Sequence, residues 1–206
     1  MAVPPPSPIP AAPPMDADPS KPALRAELRA LRDAFVLDLP PGERARLEAL
    51  AADHLLRVAG GARSIAFYVA MGSEMGCAAA MAATAARGIA VALPHVESRS
   101  APMRFLRWTP GDPLETGWRG LSQPAAESAE IRPDLIVAPL LGFDSALNRI
   151  GQGAGFYDRA FAALPQARRI GWGWSIQQRP AIGCDPWDVP LDAVVTETGV
   201  IEGNNA

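Results

Sequence analysis

Apolar residues recur at helical spacing near the start of the chain and give way to short apolar runs further on. Leu24, Leu28, Leu31 and Phe35 lie three and four apart, with Arg25, Arg29 and Arg32 on a neighbouring stripe beside Glu27 and Asp33. This pattern predicts an amphipathic helix over 21–36, ended by Pro40 and Pro41. A second helix is expected over 42–58, an Ala-rich third over 77–87 with Gly88 as its cap, and a fourth over 156–164. Short apolar runs predict strands at 64–69, at 89–93 (ended by Pro94), and at 103–108, 135–141, 169–174 and 193–196. Strands that alternate with helices indicate an α/β fold. The expectation is a mostly parallel central sheet with helices on both faces, a three-layer α/β/α arrangement in a single domain over residues 20–206. Ligands in such folds bind at the carboxyl ends of the strands.

Nine of the 22 prolines fall within residues 1–22, so residues 1–19 read as a disordered or extended Pro/Ala-rich tail. The composition of the whole chain is that of a soluble domain, with 49% apolar and 20% charged residues. The net charge of −3 argues against a nucleic-acid surface. No apolar run reaches the roughly 18 residues of a membrane helix, and the N-terminus lacks the pattern of a signal peptide. Cys77 and Cys184 do not make a disulfide framework and suit a reducing cytoplasm. His54 and His95 lie far apart, with no cysteine pair to make a zinc pattern. His54 reads as a surface or packing residue. A monomer acting on small molecules is expected.

The most informative run is residues 149–159, RIGQGAGFYDR. Gly151, Gly153 and Gly155 lie between an apolar run and a helix start. Glycines let backbone N–H groups turn toward a ligand, and the helix dipole favours an anion there. Arg149 and Arg159 bracket the loop with fixed positive charges suited to phosphate. Asp158 offers a carboxylate of the kind that holds Mg²⁺ beside a phosphate. The G-x-G-x-G spacing differs from the dinucleotide fingerprint, and no Gly-Lys pair exists for a P-loop. The alternative is a glycine-rich turn with a structural ion pair.

In its wider setting this run resembles the signature of the 5-formyltetrahydrofolate cyclo-ligase family, roughly F-D-x-x-G-x-R-L-G-x-G-x-G-Y-Y-D-R, over residues 143–159. Other segments are similar to the family in the same order. They are Lys21 to Arg25, Phe67-Tyr68 followed by Glu74, Met103 to Phe105, and Asp188 to Glu197. The resemblance implies an ATP- and Mg²⁺-dependent enzyme that closes 5-formyltetrahydrofolate to 5,10-methenyltetrahydrofolate. It implies that Lys21 and Arg25 meet the triphosphate. Arg149 and the backbone of Gly151, Gln152, Gly153, Ala154, Gly155, Phe156 and Tyr157 would cradle it. Lys21, Arg149 and Asp158 are the implied catalytic groups, and Asp158 and Asp192 the implied Mg²⁺ ligands. Glu74 would meet the pterin edge, with Val69, Met103, Gln152 and Phe156 around the folate. Val69 and Met103 read equally as core, and Asp192 also reads as a strand-start residue. The chain departs from the pattern at Leu147 (usually Gly), Gln152 and Phe156 (often Tyr), Gln123 (usually Glu) and Trp187 (often His). If the turn at Leu147 needs a positive φ, leucine costs about 1 kcal/mol there, unless Asn148 takes the strained position instead. These departures keep two other readings open: a non-catalytic binding homologue, and an ATP-dependent ligase or kinase for another small molecule.

Overall fold

A computed structural model describes residues 21–185 and 187–203; the Pro/Ala-rich tail expected over 1–19 lies outside the described residues. The helices are α1 (Lys21–Leu37), α2 (Glu43–Val58), α3 (Ala78–Ala86) and α4 (Phe156–Ala163). The strands in chain order are β1 (Ser64–Ala66), β2 (Ala90–His95), β3 (Arg104–Arg107), β4 (Glu115–Thr116), β5 (Ser122–Gln123) and β6 (Leu135–Pro139). They continue with β7 (Gly142–Phe143), β8 (Arg149–Ile150), β9 (Arg168–Trp172), β10 (Ala193–Thr196) and β11 (Gly199–Glu202).

Seven strands form the central sheet in the order β11-β10-β9-β6-β1-β2-β3. The five inner strands run parallel, and β3 and β11 close the two edges antiparallel. Side chains alternate across this sheet. Ile65, Val91, Leu135, Ile170 and Val195 point to the face covered by α2 and α3, through Leu55, Ala80 and Met81. Ala66, Ala92, Ile136, Ala138 and Val194 point to the other face, where Ala160 and Phe161 of α4 pack. The expected three-layer α/β/α single domain is therefore what the chain forms. Helix α1 lays Leu24 and Leu28 against Leu141, Ile150 and Ile182, next to the carboxyl ends of the strands.

The strand order reverses between β1 and β6: from there the chain runs outward to β2 one way and to β9 and β10 the other. Such a switch point leaves a crevice at the strand ends. Two small hairpins, β4–β5 and β7–β8, rise beside it. The second is fixed by Asp144. Its carboxylate accepts the N–H groups of Ala146, Asn148 and Ile182 at 3.0, 2.9 and 2.9 Å.

Two local expectations change. Pro94 does not end β2, which runs on to His95 opposite Arg104. Trp108 N–H bonds Val91 O, so alternation turns the missing N–H of Pro94 toward β1, which has already ended at Ala66. The positive φ of the β7–β8 turn is taken by Leu147 itself, at 65°, and not by Asn148. Leu147 is buried with Leu191 in the α4-side core, which offsets a backbone cost of about 1 kcal/mol or more.

Candidate functional site

The crevice opens into a cavity of about 490 Å³. Lys21, Arg25, Val69, Glu74, Met103, Arg149 and the whole segment from Gly151 to Asp158 line it. Asp188, Tyr68 and Trp118 line it too.

The glycine segment gives the cavity its anion-binding end. Gly153 and Gly155 have φ of 93° and 68°, a region that costs a side-chain-bearing residue about 1 kcal/mol or more. Gly155 is the N-cap of α4 and brings no side-chain cap, so the first-turn N–H groups face the cavity without a local acceptor. The side chain of Arg25 lies over Gly153, and its Nε donates to Gly151 O at 2.9 Å. Arg149 is held from β8 with its side chain only 6% exposed. Its Nη2 donates to Asp158 Oδ1 at 2.6 Å, and its guanidinium lies 5.2 Å from the Phe161 ring. Its buried Nε has no hydrogen-bond partner among the described residues. A buried, half-satisfied guanidinium beside open helix N–H groups is suited to phosphate.

Lys21 starts α1 and is bound by two carboxylates, Asp185 at 2.5 Å and Asp188 at 2.7 Å. Burial alone would raise the Asp188 carboxyl. The Asp185 N–H and the Lys21 ammonium outweigh it and hold Asp188 below its usual value. Partial burial pulls the Lys21 ammonium down, and its two aspartates more than reverse this.

Glu74 defines the opposite side. It is buried, and its Oε2 accepts Met71 N–H at 3.0 Å. Its Oε1 lies 3.8 Å from buried Arg32 and 3.4 Å from Gln152 Nε2. Arg29 in turn donates to Gln152 Oε1 at 2.7 Å. Gln152 thus ties the glycine loop both to α1 and to the Glu74 segment. Tyr68 bonds Met75 O at 2.8 Å, and burial pushes its phenol well above the usual value.

Asp192 is not part of this cavity. It precedes β10 at the amino end of that strand, where the carboxyl-end crevice cannot reach it. Its carboxylate takes the N, Nε and Nη2 of Arg169 at 2.7, 2.9 and 2.5 Å. This corrects the expectation that Asp192 joins Asp158 at a metal; its strand-start reading describes what it does. Among the described residues no three His, Cys, Asp or Glu side chains gather where they could hold a metal ion. Asp158 lines the cavity with Oδ1 bonded to Arg149 and Oδ2 without a hydrogen bond among the described residues, so that oxygen could take a cation such as Mg²⁺.

Of the departures from the family pattern, Gln152 and Phe156 reach the cavity, whereas Gln123 and Trp187 do not. Gln123 is buried and accepts Val96 N–H at 3.0 Å; Trp187 is 70% exposed. Sequence reasoning missed Trp118, Arg119 and Leu121, which come from the β4–β5 hairpin. The only signal for them was a Trp118–Arg119 pair between Gly117 and Gly120.

The 5-formyltetrahydrofolate cyclo-ligase family matches residues 17–197. The 5-formyltetrahydrofolate cyclo-ligase of Haemophilus influenzae is 29% identical over 137 residues, covering 63% of this chain and 73% of its own length. That of Mycolicibacterium smegmatis is 31% identical over 149 residues, covering 68% of this chain and 76% of its own. The solved structure of the 5,10-methenyltetrahydrofolate synthetase of Aquifex aeolicus superposes with a TM-score of 0.74 at 26% identity, over 89% of this chain and 94% of that one.

Proposed function

We propose that this chain, which belongs to the 5-formyltetrahydrofolate cyclo-ligase family, uses ATP to close 5-formyltetrahydrofolate to 5,10-methenyltetrahydrofolate, releasing ADP and phosphate. The observation that carries the reading is the two-sided cavity. Its glycine loop, open helix N-terminus and Arg149 suit a triphosphate, and its apolar wall and Glu74 suit a pterin.

The formyl carbon of the substrate is a weak electrophile, and its oxygen leaves poorly. Transfer of the γ-phosphoryl group to that oxygen makes an iminium phosphate. N10 of the folate then attacks the carbon and releases its proton to solvent, the C–O bond breaks, and phosphate departs with its electron pair. The chain supplies no covalent nucleophile. It aligns the two substrates and stabilises the charge that develops on phosphate. Arg149 and the amides of residues 151–157 hold the triphosphate, with Arg25 over the loop. Lys21 joins them by exchanging an aspartate for a phosphate oxygen. Glu74, held by Met71 N–H and Arg32, accepts N–H groups of the pterin. Val69, Met103 and Phe156 flank the rings. Asp158 would hold Mg²⁺, which needs only one or two protein carboxylates. When bound it neutralises phosphate charge.

We place the enzyme in a reducing cytoplasm, where the free thiols of Cys77 and Cys184 persist, and expect it to act as a monomer. No helix of the described residues is long and apolar enough to cross a membrane. The test is the absorbance of methenyltetrahydrofolate, followed with ATP and Mg²⁺ present or withheld. Product that needs both supports the reading. ATP binding without product from the folate overturns it in favour of a non-catalytic homologue.

A further inference from the structure

Helix α1 buries three side chains, Leu24, Leu28 and Arg32, and their four-residue spacing sets them in one stripe. Leu24 and Leu28 join an apolar cluster with Leu141 and Ile150. The third position of the stripe holds an arginine whose side chain is only 5% exposed. A leucine there would extend the apolar contact. A guanidinium instead gives up water, which is unfavourable unless charge and hydrogen bonds offset it. Arg32 has one such bond: its Nε donates to Ser73 Oγ at 2.9 Å. Its buried Nη1 has no hydrogen bond among the described residues and lies 3.8 Å from Glu74 Oε1.

The backbone around Glu74 is pinned from other directions. Arg44 of α2 donates to Gly72 O at 3.2 Å and to Glu74 O at 2.7 Å. Trp174 Nε1 donates to Ser73 O at 3.0 Å, and Glu48 accepts Gly76 N–H at 2.8 Å. None of these contacts fixes the Glu74 carboxylate itself. Met71 N–H holds Oε2, and among the described residues no cation besides Arg32 is ion-paired with this group. At 3.8 Å the two charges attract, but the separation is beyond a hydrogen bond. The bond to Oε1 from Gln152 Nε2 is long, at 3.4 Å. Oε1 therefore keeps acceptor capacity for a ligand. Glu74 lines the cavity and Arg32 does not, so the guanidinium acts on the carboxylate from the protein side.

We propose that Arg32 is a positioning residue for the folate: it stands outside the cavity, and its charge holds the Glu74 carboxylate aimed at the pterin N–H groups. The inference rests on the folate reading above, in which Glu74 accepts the pterin. It accounts for a charged residue in the apolar stripe of α1. It also accounts for the unbonded Nη1. A closed, hydrogen-bonded Arg32–Glu74 pair would occupy the acceptor that the pterin needs.

The test measures kcat and the KM values for 5-formyltetrahydrofolate and ATP in the wild type, Arg32→Met, Arg32→Lys, Glu74→Gln and the Arg32→Met/Glu74→Gln double variant. Methionine suits the apolar stripe and removes the cation. Arg32→Met should raise the folate KM about 10-fold, the order of one hydrogen bond, with kcat and the ATP KM changed far less. Arg32→Lys keeps a positive charge in place and should recover part of this loss. In the Glu74→Gln background, Arg32→Met should change the folate KM by no more than about 2-fold, because its effect runs through the carboxylate. Arg32→Met leaves a buried carboxylate without its cation, which lowers stability. The double variant removes that charge as well, so its comparison with Glu74→Gln stands even where the single variant fails to fold. An equal 10-fold rise in both backgrounds would overturn the inference, by showing that Arg32 acts independently of Glu74. An unchanged folate KM in folded Arg32→Met, or a matching rise in the ATP KM, would overturn it too. An unchanged folate KM in active Glu74→Gln would overturn the pterin contact and the inference with it. A wild type that binds ATP and makes no product would overturn the folate reading itself.

Discussion

Replacing Asp192 by asparagine separates a metal ligand from a structural ion pair. The carboxylate accepts three donors of Arg169, with Oδ2 taking both the backbone N–H and Nε. Asparagine keeps the shape, but its amide turns either one or two of these contacts into a donor facing a donor. Each lost charge-assisted bond is worth about 1.5–3 kcal/mol when buried. The side chains are 26% and 33% exposed, so solvent screening lowers the total to about 2 kcal/mol. For a domain of this size that is about 4–8 °C in Tm. The pH dependence has a definite sign. Burial pushes the Asp192 carboxyl up, but Arg169 outweighs it and holds the folded pKa below the ordinary 3.8. A depressed carboxyl stabilises the fold above its unfolded pKa, and that contribution is lost as pH falls through the folded pKa. The gap in Tm between wild type and Asp192→Asn should therefore be full at pH 7 and shrink below about pH 4. Thermal unfolding at several pH values, beside a Mg²⁺ titration of turnover, decides the matter. The structure requires a lower Tm with unchanged Mg²⁺ dependence. An unchanged Tm with a tenfold weaker Mg²⁺ response would refute it and return Asp192 to the metal.

Arg149→Ala removes a charge-assisted phosphate contact and should raise the ATP KM about 10- to 150-fold, with circular dichroism confirming that the fold survives. Leu147→Gly relieves a backbone cost of about 1 kcal/mol but empties a buried leucine site worth roughly 2–5 kcal/mol. Urea unfolding should find this variant less stable, and a more stable variant would show that the leucine packs poorly. Asp158→Asn should lower turnover at saturating Mg²⁺ far more than it lowers calorimetric folate binding. Equal losses in both would remove Asp158 from the phosphate end.

The helices were legible within a residue or so of their ends, because α1 and α2 carry a clear 3.6-residue apolar period, α3 lies between Gly76 and Gly88, and α4 starts after Gly155 and stops before Pro165. The inner strands were legible because both faces are buried, which makes them continuous apolar runs. The strands missed are short or unpatterned. β4, β5, β7 and β8 have two residues each, too few to show a period of two. β11 is half-buried at the sheet edge and follows β10 through a tight turn that reads as a loop. The glycine run was legible as a segment that lines the cavity, because Gly153 and Gly155 take positive φ and the run ends at a helix N-terminus. Asp192 was misplaced for the opposite reason. A motif tells which residues occur together along the chain, and it does not tell at which end of a parallel strand they stand. Trp118 and Arg119 carried no period, and their role is visible only once the hairpin folds over the crevice.

The cations around the glycine loop show how the site tolerates its own charge. Lys21, Arg25 and Arg149 converge on one cavity, and their mutual repulsion would be costly without compensation. Asp185 and Asp188 offset Lys21, and Asp158 offsets Arg149. These carboxylates also oppose an incoming triphosphate, since Asp158 stands in the same helix turn whose N–H groups suit a phosphate. In the proposed reaction Asp158 would hold a divalent cation, whose charge would offset that repulsion. Asp188 needs no metal, because Lys21 can release it to one side and reach a phosphate on the other. In the proposed reaction the two aspartates that line the cavity would therefore act differently, Asp158 by drawing in a cation and Asp188 by holding Lys21 ready.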